Sequence, residues 1–75
     1  MTLTELLASD YAEIFSIEKA SYNPDVIMIF EPNLIGFHKD NVEIIEHDGF
    51  IWIQESGKFS ITLYKESRTT HTTIF

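Results

Sequence analysis

Residues Val42 to Tyr64 read VEIIEHDGFIWIQESGKFSITLY, the pattern of an antiparallel sheet. Aliphatic and aromatic side chains dominate it, and it is interrupted twice by a turn dipeptide, Asp48-Gly49 and Ser56-Gly57. Glycine supplies the positive φ that tight hairpin turns demand, so each dipeptide marks a hairpin. Connections this short join antiparallel neighbours. Strands at 42–47, 50–55 and 58–65 are therefore expected, in sequence order.

The same period of 2 extends back to Asp25. Strands at 26–31 and 34–39 flank Pro32-Asn33, and Asp40-Asn41 leads into 42–47. A frayed strand at 69–74 completes a set of four to six. Before Asp25 the period is 3.6. Leu3, Leu6, Leu7, Tyr11, Ile14, Phe15 and Tyr22 share one arc, and Glu5, Ser9, Glu13, Ser16 and Lys19 take the other. Thr2-Leu3-Thr4-Glu5 is a capping box, and Pro24 stops the run. This predicts one helix over 3–22. Asp10 and Glu18 intrude on the apolar arc, and the alternative is a break near Ser9 with Asp10 capping a second segment. The expected class is α+β: one N-terminal amphipathic helix packed on an antiparallel β-meander, a single small domain over residues 1–75.

Register then assigns faces. Two-residue loops pair His47 with Phe50, Ile45 with Trp52, Trp52 with Ile61, and Phe50 with Leu63. Ile45, His47, Phe50, Trp52, Phe59, Ile61 and Leu63 are expected beneath the helix. Val42, Ile44, Ile51, Ile53, Ser60, Thr62 and Tyr64 fall on the other face. Its aliphatic residues need a cover, either the early hairpin or a second copy of the chain. A chain of 75 residues with no cysteine has little stability in reserve. That favours a homodimer with Ile44, Ile51 and Ile53 in its interface.

Hydrophobic residues make up 44% of the chain, enough for a core and against disorder. The net charge is −7 and unevenly placed. Residues 1–56 hold eleven acids and two bases, whereas 57–75 hold Glu66 against Lys58, Lys65 and Arg68. Such a field repels phosphate backbones and anionic membranes, so neither direct nucleic-acid binding nor membrane binding is expected. The apolar run Val26–Phe30 is far short of the ~20 residues that span a bilayer. No basic segment follows Met1 as a secretory signal would require, and the cytoplasm is the expected location. Solubility is the plainest role of the acids. A basic protein partner, or a nucleic-acid-handling protein whose groove the acids occupy, suits the same field.

No phosphate loop, Ca²⁺ loop or metalloprotease spacing is present, and the lack of cysteine excludes thiol chemistry. His38, His47 and His71 lack the spacing that sets two imidazoles on one ion. No cofactor or metal is expected. The leading reading is a non-catalytic protein-interaction module that inhibits or adapts its partner through Ile44, Ile51, Ile53, Tyr64, Glu43, Glu46 and Glu55. The alternative is a ligand-binding or enzymatic subunit whose pocket forms at an oligomer interface, around His47 paired with Glu18 or Asp10.

Overall fold

The helical segment breaks where Asp10 interrupts the apolar arc. In the computed structural model, which describes residues 1–75, α1 spans Leu3–Leu7 and α2 spans Asp10–Ile14. The capping box forms at the first: Glu5 N donates to Thr2 Oγ1 at 3.1 Å, and Thr2 N donates to Glu5 Oε1 at 2.9 Å. Those bonds hold the Glu5 carboxyl below the usual carboxylate range. Ser9 closes the first helix, its Oγ donating to Leu6 O at 2.6 Å. Ser9 also stands in extended backbone as the N-cap of α2, so Asp10 is the first residue inside that helix. Ser16 turns the chain with φ 52°, and Ile17–Lys19 form a strand, β1. The single helix over 3–22 is thus corrected. Short helices depend on tertiary packing, and the β-branched Ile17 gains more by pairing with Ile29.

Six further strands follow: β2 Val26–Ile29, β3 Ile35–His38, β4 Val42–His47, β5 Phe50–Glu55, β6 Phe59–Tyr64 and β7 Thr69–Ile74. They form two antiparallel sheets, ordered β1-β2-β3 and β4-β5-β6-β7. The α+β class, with an N-terminal helical segment on an antiparallel meander, is what the sequence implied. The strands number seven, in two sheets. One core joins Leu6, Tyr11 and Phe15 of the helical segment to Ile17, Ile27, Ile29 and Phe37 of the first sheet and Ile44, Ile51, Ile53, Ile61 and Leu63 of the second. The surface area is 4639 Å². Folded monomers of this mass expose ~4,700 Å², close to this value.

The β4–β5 register is the expected one, with His47 opposite Phe50 and Ile45 opposite Trp52. The β5–β6 register is displaced by one residue: Ile53 faces Ile61, Ile51 faces Leu63, and Phe50 faces Tyr64. Lys58 joins Ser56-Gly57 in a three-residue loop, its N donating to Glu55 O at 3.1 Å while Gly57 adopts φ 75°. Ile61 and Leu63 consequently share the inner face with Ile51 and Ile53, not with Phe50 and Trp52. The expected faces of β4 and β5 are exchanged. Ile45, His47, Phe50 and Trp52 point away from the helices, while Ile44, Ile51 and Ile53 are buried by the helical segment and the early hairpin. The early hairpin was the alternative cover, and it removes the reason for a dimer on that face.

Glu55 is 4% exposed on the inner face. Its Oε1 accepts from His38 N of β3 at 3.0 Å and lies 3.7 Å from Lys58 Nζ, so it ties the two sheets together. Glu55→Ala leaves the His38 N–H without its acceptor and is expected to cost about 1.5–3 kcal/mol in urea unfolding. Glu55→Gln retains a carbonyl oxygen at that place and should lose clearly less.

Candidate functional site

The helices and the first sheet pack against the inner face of β4–β6, which leaves the outer face of that sheet to solvent. Cross-strand rows lie on it. One row is His47, Phe50, Tyr64 and Thr69, and the next is Ile45, Trp52, Thr62 and His71. The His47 ring stacks on Phe50 with centroids 4.6 Å apart and planes 17° apart. Phe50 and Tyr64 are 5.8 Å apart and tilted by 39°. Such pairs stabilise a sheet face through ring geometry as well as area. Phe50 and Trp52 are half-buried by their neighbours, whereas Ile45 and Tyr64 remain 39% and 40% exposed.

At the β4–β5 turn this face opens into a groove of about 540 Å³ lined by Asp48, Gly49, Phe50, Tyr64, Glu66 and Ser67. Two carboxylates therefore border two aromatic rings. The Asp48-Gly49 turn, with Gly49 at φ 85°, places Asp48 beside Phe50. The β6–β7 turn brings Glu66 and Ser67 to the same end. A second groove, about 480 Å³, lies at the first sheet beside Tyr22, Val26, Met28, Leu34, Gly36 and Phe37, with His38, Glu55 and Lys58 also lining it. Gly36 lines it, and a Cβ there would stand 2.9 Å from Met28 Sδ.

The cations are largely committed elsewhere. Lys39 bonds Asp25 at 3.0 Å, Lys65 bonds Asp10 at 3.0 Å, and Lys58 approaches Glu55. The hydrogen bonds to Asp25 and Asp10 raise Lys39 and Lys65 above the usual lysine range. Lys65 also stands 5.7 Å above the Tyr11 ring. Burial raises the Tyr11 phenol, and Lys65 opposes that shift. Three of the five basic side chains thus face an acid, which leaves the surplus negative charge to the remaining carboxylates.

The residues expected to bind a partner are dispersed. Ile44, Ile51 and Ile53 belong to the core, and Glu55 is the tie between sheets. Glu46 is exposed at an inner-face position opposite Ile51. Glu43 and Tyr64 share the outer face, and only Tyr64 borders the aromatic groove. The His47 pair does not form. His47 stacks on Phe50, Asp10 holds Lys65, and Glu18 sits opposite Met28 in the other sheet. His38 Nδ1 accepts from Asp40 N at 3.2 Å, and His71 lies opposite Thr62. No group of three or more His, Asp or Glu side chains is placed to hold a metal ion. Phe50, Asp48 and Glu66 were missed as site residues. The three-residue loop Ser56–Lys58 reverses which side of β5 the β6 aliphatics join, and the Ser56-Gly57 dipeptide alone does not distinguish it from a two-residue loop.

Comparison with protein families, with curated proteins and with solved structures finds no match to this chain. No helix is long and apolar enough to cross a membrane.

Proposed function

We propose that this chain is a non-catalytic, cytoplasmic protein-interaction module that receives a basic segment of a protein partner on the outer face of β4–β7, inhibiting or adapting that partner. The observation that carries the reading is the groove in which Phe50 and Tyr64 border Asp48 and Glu66. A guanidinium or ammonium group laid against an aromatic face gains a cation–π attraction, and the flanking carboxylates add charge-assisted hydrogen bonds. The net charge of −7 steers such a segment toward the protein.

An Arg-rich peptide titrated into isotope-labelled protein tests this. Amide shifts should concentrate at Asp48–Ile51 and Tyr64–Ser67. Affinity should fall as salt rises, because screening shortens the Debye length from ~10 Å at 0.1 M to ~3 Å at 1 M. Shifts confined to the Tyr22–Met28–Leu34 groove, or affinity indifferent to salt, would overturn the assignment.

A further inference from the structure

A sheet with two edges must satisfy or protect both, and here they differ. On the β4 edge the Ile44 carbonyl accepts from Met1 N at 3.3 Å, and the strand carries Glu43 and Glu46. The β7 edge has no such protection. Its segment Thr69–Phe75 contains no charged residue, no proline and no bulge in its pairing with β6. Those are the devices that ordinarily blunt an exposed edge. Phe75 N donates to Lys58 O at 3.0 Å. By the alternation of an antiparallel ladder, the N–H and C=O groups of Thr70, Thr72 and Ile74 then point away from β6. Ile74 and Phe75 are 76% and 63% exposed.

The edge is also self-complementary. Thr69-Thr70-His71-Thr72-Thr73 reads the same in both directions. A two-fold axis demands that a surface match itself, and an antiparallel strand pair centred on a palindrome does so residue by residue. We infer that β7 pairs with β7 of a second copy about an axis at His71, joining the two four-stranded sheets into one continuous sheet. Thr70 N then donates to O of the partner's Thr72, and Thr72 N donates to O of the partner's Thr70. Thr69 faces the partner's Thr73 on the outer side, and His71 faces the partner's His71. Threonine pairs of this kind are favourable across strands. Charge selects the same edge. The acids concentrate in residues 1–56, so two copies of net −7 approach with least repulsion along the uncharged β7. This inference is independent of the basic partner, whose groove lies at the Asp48 turn.

Sedimentation equilibrium of the full chain from micromolar to millimolar concentration is the test. The mass should rise from 8.7 kDa toward twice that value. Added salt should strengthen association, the opposite of its effect on a basic partner, because it screens repulsion between like-charged copies. Thr72→Pro removes a donor that the β6–β7 ladder does not use, so the edge strand tolerates it. It should raise the dimer Kd by on the order of 10-fold or more. His71→Lys and His71→Glu should each weaken the dimer, and mixing the two should restore it as a heterodimer, since the axis sets Lys against Glu. The mixing arm decides the matter even if Thr72→Pro unfolds, because a misfolded variant is not rescued by its complement. A wild-type chain monomeric throughout, a folded Thr72→Pro variant that dimerises undiminished, or a mixture no heavier than its components would overturn the inference.

Discussion

Ile51→Glu is expected to unfold the domain, whereas Trp52→Glu, one residue along the same strand, leaves it folded. Ile51 is wholly buried between the two sheets, opposite Leu63. A carboxylate there stands uncompensated among aliphatic side chains, which costs about 3–5 kcal/mol beyond the lost burial of the isoleucine. Domains gain roughly 0.05–0.15 kcal/mol per residue, so a chain of 75 residues holds about 4–11 kcal/mol in total. The substitution removes most or all of it. Trp52 is half-exposed on the outer face, where a carboxylate remains hydrated, and its loss should cost about 1–2 kcal/mol. Thermal unfolding followed by circular dichroism compares the two. A stable Ile51→Glu beside an unfolded Trp52→Glu would mean that the faces of β5 are exchanged.

Tyr64→Ala is expected to lower affinity for an Arg-rich peptide by about 30-fold, equivalent to ~2 kcal/mol, while leaving the fold intact. Tyr64 forms one wall of the groove and its ring is tilted against Phe50, yet its exposure shows that the core does not depend on it. Phe50→Ala should act in the same direction and also loosen the His47 stack. Tyr22→Ala, in the groove of the first sheet, is the matched control and should leave affinity unchanged. Isothermal titration calorimetry measures all three variants. Equal losses from Tyr64→Ala and Tyr22→Ala would show that the peptide senses the overall charge and not the aromatic groove.

The two predictions rest on opposite sides of β5, and that strand shows where local reasoning stops. Phe50-Ile51-Trp52-Ile53 is apolar at every position, so its pattern does not say which side is inner. The choice is made by the neighbours. With Lys58 in the loop, Ile61 and Leu63 align with Ile53 and Ile51, and the aliphatic cluster they form with Ile44 packs more closely against Ile27, Ile29 and Phe37 than a side carrying Trp52 and His47 would. The exposed aromatic groove follows from that choice. Hence the site was illegible in the residues that form it.

The helical segment teaches the same lesson at shorter range. The Thr2–Glu5 capping box was legible because its partners lie three residues apart. The continuation past Ser9 was not, because the apolar arc through Tyr22 is equally compatible with a strand at Ile17–Lys19 once Ile29 is there to pair with it. Glu55 reads as a surface acid beside a turn. Only the approach of β3, seventeen residues earlier in the chain, supplies the backbone N–H that brings it into the interior.

Short-range chemistry accounts for the antiparallel meander through its turn dipeptides, for the Asp48-Gly49 hairpin with its register, and for the helical start at Thr2, and composition accounts for the surplus of negative charge. The helix break, the division into two sheets, the inner side of β4–β6 and the burial of Glu55 arise from contacts between elements far apart in the chain. The difference is one of range. Capping and hairpin turns are settled among residues a few positions apart, whereas the side of an all-apolar strand that is buried depends on which distant surface covers it best.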